Sequence, residues 1–568
     1  MERLDVVIPE MAIAPLTYES PVSIPEGVRV IVEVGKTLHV GFVLGRSVRE
    51  VPAGVKLKPI AGVIDGACVI GDDVFDLAKW AARVCMCGVG AVLKNFLPRD
   101  IYIGEKSDPP PKIEHGEFHE RTFFSPFDSE RGDFYLSEIT REKRTLILFP
   151  TQEAAKKFSD LILKKLHIRP LLWSSREGKP FHFTWEFAKF EDLRVIVGSQ
   201  GAVFAPFSPE KIIIDDEQNP AYILKKSPKI SARSLAGHRA QYLGAELITA
   251  GRMPSLKTYL RTHPDELITP ERKNIILVDI YRSHKEQAPG IEGHIPLTFS
   301  LIKHTYRELS QKHNVMWILN RSGESSEVFC EKCGQVVKCE KCGGVMQSTG
   351  GGNVLRCRVC GHLKELPPKC ESCGCDFFMG RRPGLEALGR IAEKYYHDVH
   401  VEDGRKGLIL TTQKGLSLLG RVKPGLVAWL DLDAELWRPE HTTRYNAFSM
   451  LYESYWRGRT RDSQRKLLIQ SRSSGMRLAR FMLSGWSKFL DDELRERREF
   501  MLPPYGYIVE VEDRKPEVLK VFEEAGVFVM DPGDDEQPLY IYTQSLDTID
   551  KILAANFKKY PKITIRSE

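Results

Sequence analysis

The segment KIIIDDEQNPAYIL, residues 211–224, places an unbroken run of isoleucines directly before a cluster of acidic and amide side chains. Three similar apolar runs lie nearby: RTLILFP (144–150), LRVIVGS (193–199) and AELITAG (245–251). Apolar runs of this kind, ended by polar turns and separated by helical segments, are typical of parallel strands buried on both faces. Residues 120–270 are therefore predicted to form an α/β lobe.

A second α/β lobe is predicted further along the chain. Its apolar runs are KNIILVDIY (273–281), VMWILNR (315–321), KGLILTTQ (406–413) and GLVAWLDLD (425–433). A cysteine-rich window interrupts this second set of strands. The second lobe is therefore assembled from residues 271–326 and 381–488, on either side of an insertion.

The insertion, residues 327–380, is predicted to bind metal. Its segments VFCEKCGQVVKCEKCGG (328–344) and RCRVCGHLKELPPKCESCGC (356–375) contain four Cys-x-x-Cys pairs, each followed by glycine. Zinc prefers four tetrahedral ligands, and a Cys-x-x-Cys pair supplies two of them, so four pairs predict two closed, structural Zn²⁺ sites. The predicted ligands are Cys330, Cys333, Cys339, Cys342, Cys357, Cys360, Cys370 and Cys373.

The spacing leaves the pairing of the four knuckles open, because nested and interleaved arrangements both give tetrahedral sites. His362 lies beside the third pair, but the eight sulfurs already fill both sites. We therefore expect His362 to face solvent. Unmetallated or redox-active thiols are the alternative interpretation, which four pairs with this spacing disfavour.

The remaining segments predict smaller units. Residues 1–97 begin with short β-like runs broken by Pro and Gly, which indicate a barrel or a curled sheet. Residues 98–119 contain three consecutive prolines and are predicted to be a linker. Residues 489–568 are predicted to form a small α+β domain.

Composition bounds the function classes. Hydrophobic residues make up 42% of the chain and charged residues 28%, as in ordinary globular proteins, and the net charge is only +6. That balance permits nucleic-acid binding on a local basic surface without requiring it. The opening MERLDVVIPEMAIAPLTYES lacks a signal-peptide pattern, and no apolar run approaches the length of a membrane span. We expect a cytoplasmic protein without a membrane partner.

Many segments, in order along the chain, resemble the primosomal protein N′ family, the PriA replication-restart helicases. They include the eight cysteines inserted in the second lobe and the segments KIIIDDEQNPAYIL, GSQGAVFAPF (198–207), SARSLAGHRAQYLGAELITAGRMPSLKTYL (231–260) and DDELRERREFMLPPYG (491–506). The opening resembles the family's domain for binding DNA 3′ ends. The resemblance implies two RecA-like helicase lobes.

The sequence departs from the family where ATP would bind. SPFDSERGDFYL (125–136) stands at the position of the family's GxTGSGKT phosphate loop, so acidic residues replace glycines, Arg131 replaces the lysine and Gly132 replaces the magnesium-binding threonine. Acidic side chains repel a triphosphate at a place where backbone amides would otherwise cradle it.

Two further ATPase motifs are altered. The family's DEEH reads Asp215–Asp216–Glu217–Gln218, in which Asp215 keeps the ability to hold magnesium but Asp216 is shorter than the catalytic glutamate. YESYWRGR (452–459) stands at the arginine-finger segment, with Trp456 at the first arginine and Arg459 matching the second. Since a finger supplies roughly three to five orders of magnitude in rate, we expect hydrolysis to be lost and no residue to be catalytic.

For the first domain, the resemblance implies that Thr17, Gly35 and Lys58 contact a 3′-terminal nucleotide. Thr17 stands where the family usually has an acid that binds the 3′-hydroxyl, Gly35 allows close backbone approach and Lys58 suits phosphate. Without the resemblance, the same residues are equally consistent with a strand residue, a turn and a solvated charge.

Together these features predict a zinc-containing replication-restart protein that binds forked, branched and single-stranded DNA and scaffolds primosome assembly. The partners that the resemblance implies are primosome proteins and the loader of the replicative helicase, in the nucleoid. Two alternatives are an active ATP-dependent 3′-to-5′ helicase with an atypical nucleotide site, and a zinc-ribbon nucleic-acid adaptor outside replication. Whether ATP or Mg²⁺ still binds is left open by the sequence.

Overall fold

The computed structural model describes residues 1–568 except for 12–13, 50–53, 112–115, 175–178, 225–228, 281–296, 321–327, 331, 334, 349–353, 358, 377, 380–387, 390–391, 402–405, 437–439, 472–473, 514, 532–536, 557–561 and 567–568. In this part of the chain, no helix is both long and apolar enough to cross a lipid bilayer. The chain forms an antiparallel β unit, two parallel-sheet lobes with a cysteine-rich insertion in the second, and a last α+β unit.

An antiparallel barrel followed by three helices forms the N-terminal unit. The elements are β1 (Glu2–Val7), β2 (Leu16–Ser20), β3 (Arg29–Val34), β4 (Thr37–Arg46), β5 (Gly62–Val63), α1 (Asp72–Val84), α2 (Val89–Phe96) and α3 (Arg99–Tyr102). The strand order is β2-β1-β4-β3-β5. The Glu19 amide donates to Lys58 O (3.0 Å) and the Ile60 amide donates to Glu19 O (2.9 Å), which closes the sheet into a barrel. The predicted β-rich unit is confirmed.

The first lobe is built on a six-stranded parallel sheet of order β6-β11-β10-β7-β9-β8. The apolar residues of its four inner strands are buried, as the continuous runs predicted, whereas most of those in the two edge strands are partly exposed. The elements are β6 (His119–Phe124), α4 (Asp128–Glu138), β7 (Thr145–Leu148), α5 (Gln152–Leu166), β8 (Leu171–Trp173), α6 (Lys179–Phe187), β9 (Val195–Gly198), β10 (Lys211–Ile214), α7 (Ala232–Leu243), β11 (Glu246–Gly251) and α8 (Leu256–Thr262).

The N-terminal helices pack directly against this lobe. Residues of α1 and α2 share one apolar core with α7 and with one face of the sheet. Within that interface the buried Arg239 guanidinium donates to the buried Asp73 carboxylate, with an N–O distance of 2.5 Å. This buried ion pair fixes the position of the two units relative to each other, because separating the pair would leave each charge unpaired in an apolar environment.

The second lobe has another six-stranded parallel sheet, of order β12-β22-β21-β13-β20-β19. The cysteine-rich insertion lies between strands β13 (Val315–Ile318) and β19 (Val399–Val401). In chain order the elements are β12 (Ile275–Asp279), α9 (Phe299–Ser310), β13 (Val315–Ile318), the insertion strands β14 (Phe329–Cys330), β15 (Met346–Ser348), β16 (Val354–Cys357), β17 (Leu363–Glu365) and β18 (Phe378–Met379), and then β19 (Val399–Val401), β20 (Leu408–Thr411), α10 (Leu419–Val422), β21 (Leu426–Trp429), α11 (Asp433–Leu436), α12 (Thr443–Trp456), β22 (Lys466–Ser471), α13 (Ser474–Arg480) and α14 (Trp486–Glu499).

Short 3₁₀ helices supplement these elements in both lobes. They are Gln200–Phe204, Pro220–Tyr222, Arg272–Asn274, Gln413–Leu418 and Phe481–Leu483.

One apolar core runs through the interface between the two lobes. Phe127, Met253 and Tyr259 of the first lobe belong to the same buried cluster as Trp456 and Trp486 of the second. The Phe127 and Trp456 rings meet edge to face with centroids 5.3 Å apart, and Tyr259 meets Trp486 in the same manner at 5.8 Å. The lobes are therefore joined by buried aromatic packing as well as by polar contacts.

The last unit is a four-stranded sheet of order β24-β25-β23-β26 covered by two helices, which confirms the predicted α+β C-terminal unit. Its elements are β23 (Tyr507–Val511), α15 (Pro516–Glu524), β24 (Val529–Met530), β25 (Leu539–Thr543), α16 (Leu546–Asn556) and β26 (Ile563–Arg566). Helix α14 contains residue 489, where this unit was expected to begin, and its apolar side chains belong to the interlobe core. The Gln537 side-chain amide donates to Val359 O (2.8 Å), which connects this unit to the insertion.

Candidate functional site

The eight predicted cysteine ligands converge as two groups of four. The first and fourth knuckles form an outer cluster of Cys330, Cys333, Cys370 and Cys373. The second and third knuckles form an inner cluster of Cys339, Cys342, Cys357 and Cys360. The arrangement is therefore nested, which resolves the pairing that the spacing left open.

The sulfur geometry suits a tetrahedral metal ion. The Sγ–Sγ distances in the outer cluster include 3.4 Å for Cys330–Cys373 and 3.6 Å for Cys333–Cys370. In the inner cluster, Cys342–Cys357 and Cys339–Cys360 are also 3.4 and 3.6 Å apart. Four thiolates at the usual Zn–S bond length have their sulfurs about 3.8 Å apart, so each cluster is of the right size to hold one ion.

Glycines allow the knuckles to turn. Gly343, Gly361 and Gly374 have φ of 70°, 71° and 68°, in the left-handed region that favours glycine. Their amides donate to the carbonyls of Cys339, Cys357 and Cys370, respectively, at 2.8, 3.1 and 2.9 Å. Three knuckles thus have the same turn, which follows from the repeated Cys-x-x-Cys-Gly sequence.

The other histidine and cysteine candidates lie outside these clusters. The His362 Nε2 is 3.0 Å from Glu340 Oε1, and its side chain is only 19% exposed, so it is less open to solvent than expected. Burial raises the pKa of the Cys68, Cys85 and Cys87 thiols to about 12. Those three thiols therefore stay protonated at neutral pH.

At the position of the phosphate loop, helix α4 begins with its own acidic side chains. Asp128 and Glu130 occupy its first turn, where they complement the positive end of the helix dipole. A helix N-terminus at this place would otherwise favour a phosphate group. Glu130 also accepts a hydrogen bond from the Ser125 hydroxyl (2.7 Å), so the loop is fixed by contacts within itself.

The replacement for the phosphate-loop lysine points onto carboxylates of the same lobe. The buried Arg131 guanidinium donates through Nε to Asp215 Oδ1 (2.9 Å) and through one terminal nitrogen to Asp128 Oδ1 (2.9 Å). The Tyr135 hydroxyl donates to the same Asp215 oxygen at 2.6 Å. Asp215, which the sequence analysis left able to hold magnesium, is therefore partnered by Arg131 and Tyr135.

A second buried arginine, Arg252, completes the network. It follows β11 directly and donates to the carboxylates of Asp216 and Asp128. Asp216 has a left-handed backbone, with φ of 46°. The sequence analysis missed Arg252, since a lone arginine after an apolar run gives no signal of its partners.

The charges in this network set the pKa values of its carboxyl groups. Burial works to raise the pKa of Asp216, but the Arg252 and Arg131 guanidiniums outweigh it, and the pKa lies below its usual value. The pKa of Asp128 is lowered in the same way, by Arg252, Arg131 and the Gly458 amide against the opposing effect of burial. Asp215 has a raised pKa, because burial outweighs the attraction of Arg131.

The second lobe reaches the same network from across the cleft. The Gly458 amide donates to Asp128 Oδ2 at 3.2 Å, and Arg461 donates to Glu130 Oε1 at 2.6 Å. The guanidinium of Arg459, which matches a finger position, lies over the rings of Tyr455 (4.3 Å) and Trp456 (4.9 Å) and donates to Ser463 O at 2.7 Å. Carboxylates of the first lobe thus receive hydrogen bonds from the second lobe.

Two of the three residues expected to contact a DNA end touch each other, and the third lies on a neighbouring strand. The Lys58 ammonium donates to Gly35 O (2.7 Å) and Glu33 Oε1 (2.9 Å), and Gly35 has a φ of 63° with open space where a Cβ would lie. Thr17 lies on β2, two residues before Glu19, whose amide donates to Lys58 O. The structure thus brings Gly35 and Lys58 into contact, with Thr17 on the neighbouring strand.

Comparisons with known proteins relate the N-terminal unit and the two lobes to one family. A profile described as "3'DNA-binding domain (3'BD)" of PriA matches residues 5–98. Replication restart protein PriA of Bacillus subtilis is 24% identical over an alignment of 368 residues that covers 59% of this chain and 45% of that protein. The same protein of Thermotoga maritima is 24% identical over an alignment of 472 residues that covers 75% of this chain and 62% of that protein. The chain is thus similar to PriA proteins both in its N-terminal unit and over most of its length.

The PriA-family match extends well beyond the barrel into the two lobes, although the chain spans between 45% and 62% of the length of these two relatives. Among solved structures, that of RecG bound to a three-way DNA junction aligns with 74% of this chain at 10% identity and a TM-score of 0.35. The similarity to PriA rests on the sequence matches and not on that alignment.

Proposed function

We propose that this PriA-family chain binds forked or branched DNA that carries a 3′ end, together with single-stranded DNA, and scaffolds primosome assembly without hydrolysing ATP. The observation that carries the proposal is the ion-pair network of Asp128, Arg131, Asp215, Asp216 and Arg252. It lies where the family's nucleotide motifs would hold phosphates and Mg²⁺.

Hydrolysis needs a loop open to phosphates, a carboxylate free for Mg²⁺ and an arginine directed at the transferred phosphoryl group. Here the loop carries Asp128 and Glu130, Asp215 accepts hydrogen bonds from Arg131 and Tyr135, and Arg459 lies over aromatic rings. A nucleotide would have to displace several internal ion pairs, and each partner left behind would be a buried unpaired charge. All three arrangements together support the proposed loss of turnover.

DNA recognition in this proposal begins at the barrel. Lys58 supplies a positive charge to a phosphate, Gly35 leaves room for the sugar-phosphate backbone, and Thr17 offers a hydroxyl on the adjacent strand. Contacts of this kind fix the position of a DNA end without reading its bases. The matched 3′ DNA-binding profile over residues 5–98 supports this placement.

We further propose that both cysteine clusters hold Zn²⁺. Thiolates are soft ligands, and closed sets of four suit a structural zinc ion, with no position left for a reacting water. The exposed Lys332, Lys338 and Lys341 surround the knuckles and would suit contacts with DNA or with primosome proteins and the helicase loader. The two metal ions would act by stabilising the fold of the insertion that carries this surface.

The test combines ATP turnover by the zinc-loaded protein in the presence of a fork with a binding titration of the same fork. The matched control is the double variant Asp215→Asn/Asp216→Asn, which keeps the side-chain shapes and removes both charges. We expect fork binding and no turnover above this control. Turnover above the control would contradict the proposal and favour the alternative of an active ATP-dependent helicase. Binding without preference for a 3′-ended fork over plain duplex would favour a nucleic-acid adaptor outside replication.

A further inference from the structure

Thr17 of the barrel is paired with a carboxylate that the sequence analysis did not consider. Asp5 on β1 stands directly opposite Thr17 on β2 in the antiparallel register. The Thr17 hydroxyl donates to Asp5 Oδ1 at 2.7 Å. The resemblance pointed to an acid at position 17, and the structure shows an acid one strand away that touches the threonine found there.

The surroundings of Asp5 leave its carboxylate available for another donor. The Asp5 side chain is 16% exposed, and an ionised carboxylate offers about four acceptor positions. The Ser47 hydroxyl lies 3.3 Å from that of Thr17, and the Arg49 Nε lies 3.7 Å from Asp5 Oδ2. The Arg49 side chain is half-exposed, so a guanidinium and a carboxylate are presented side by side at the surface.

This pairing suits the end of a DNA strand. A 3′-terminal nucleotide offers one hydroxyl that can donate a hydrogen bond and, on its other side, a phosphodiester that attracts cations. Hydrogen bonds from a hydroxyl to a carboxylate are about twice as strong as neutral ones. A strand interior has no free 3′-hydroxyl, so a carboxylate at this place distinguishes an end from continuous backbone.

We propose that Asp5 is the residue that recognises the 3′-terminal hydroxyl, with Thr17 holding its carboxylate in place and Arg49 reaching the adjacent phosphate. The inference rests on the proposed function, since it assigns the selectivity of the same DNA-end site. Thr17 and Asp5 act as a pair. The Thr17 hydroxyl donates its hydrogen bond to Asp5 Oδ1, and the remaining acceptor positions of the Asp5 carboxylate are available to the DNA.

The experiment measures the affinity of the full chain for forks that differ only in the end of one strand. The three probes carry a 3′-hydroxyl, a 2′,3′-dideoxy end or a 3′-phosphate, and all titrations use one salt concentration because phosphate contacts are salt-dependent. The native chain should prefer the 3′-hydroxyl over the dideoxy end by about tenfold, the usual effect of one hydrogen bond to a charged group. It should bind the 3′-phosphate most weakly, because Asp5 repels it.

Asp5→Asn should bring the three affinities close together, mainly by weakening the 3′-hydroxyl fork, while the affinity for the dideoxy fork stays unchanged. Glu2→Gln is the matched control, since it removes the same charge from the same strand, next to Arg46. It should leave the discrimination intact. Asp5→Asn/Thr17→Asp returns a carboxylate to the facing position and should restore the preference for the hydroxyl.

Three results would overturn the inference in distinguishable ways. Native discrimination that persists in Asp5→Asn would show that another group reads the hydroxyl. Tight fork binding with no dependence on the 3′ group would refute the role of Asp5 and leave the proposed fork binding standing. Absence of binding to every fork would refute the proposed function and this inference together.

Discussion

The cysteine clusters and the interlobe cleft are both built from residues far apart in sequence, yet their donor groups are arranged in opposite ways. In each cluster, four sulfurs lie within 4.8 Å of one another and face a common centre. In the cleft, the carboxylates of Asp128, Asp215 and Asp216 face guanidiniums of Arg131 and Arg252. One region gathers like groups around a common centre, and the other pairs opposite charges within the chain.

The difference teaches how a retained binding site can be told from a lost one in a single structure. Like donors that converge without opposing charges are costly unless an ion binds them, so such a cluster indicates a ligand. Opposite charges that satisfy one another need no ligand and resist one. By this criterion the cysteine clusters fit the proposed metal sites, and the cleft fits the proposed loss of a nucleotide site.

The largest expected effect comes from removing the metal. Structural zinc contributes about 10–16 kcal/mol to the folding of small thiolate modules, so chelation should unfold the insertion. Metal analysis should find two Zn²⁺ per chain, and limited proteolysis should then cut within residues 328–376 only after chelation. Cys342→Ser should lower the metal content, whereas Cys375→Ser, outside both clusters, should not. Equal metal loss in the two variants would contradict the assignment of ligands.

Truncating the aromatic contact between the lobes should give the next largest effect. Trp456→Ala removes a buried ring that meets Phe127 across the cleft, and such truncations cost about 3–5 kcal/mol. Urea unfolding should show the loss. Phe500→Ala is the control, since that ring is exposed. A change below 1 kcal/mol for Trp456→Ala would mean that the aromatic core contributes little to holding the lobes together.

The smallest effects should come from the polar contacts at the mouth of the cleft. Asp128→Asn weakens contacts to Arg131, Arg252 and the Gly458 amide and should cost about 1–2 kcal/mol. Arg461→Gln should cost about 0.5 kcal/mol or less, since its side chain is 67% exposed. Hydrogen exchange at the Gly458 amide should accelerate in Asp128→Asn and hardly change in Arg461→Gln. Equal acceleration in both variants would mean that the exposed Arg461–Glu130 pair contributes as much to the contact between the lobes as Asp128 does.

Much of the architecture could be predicted because its signals are local. Most of the parallel strands appear in the sequence as continuous apolar runs, and each knuckle appears as Cys-x-x-Cys-Gly. The two lobes and all eight cysteines of the two clusters could therefore be predicted from local patterns. The nested pairing depends on how β15 and β16 bring the inner knuckles together. That information lies in strand pairing, which spacing does not specify.

The polar sites show the limit of local patterns most clearly. Asp128, Glu130 and Arg131 were recognised as replacements in the phosphate loop, but their partners Arg252 and Arg461 come from distant segments with no distinctive pattern. Asp5 was missed for the same reason, since only the register of β1 against β2 places it opposite Thr17. Sequence identified which residues were unusual, and the fold determined what each one contacts.

The nested order of the clusters has a consequence for the lobe that contains them. Cys330 and Cys373 lie near the start and end of the insertion, with their sulfurs 3.4 Å apart, so an ion in the outer cluster ties its two ends together. The residues between them then add little to the entropy of closing the connection from β13 to β19. For the second sheet, closing this long insertion would then cost about as much entropy as closing a short loop. The insertion can therefore add surface to this lobe without destabilising the pairing of the strands on either side of it.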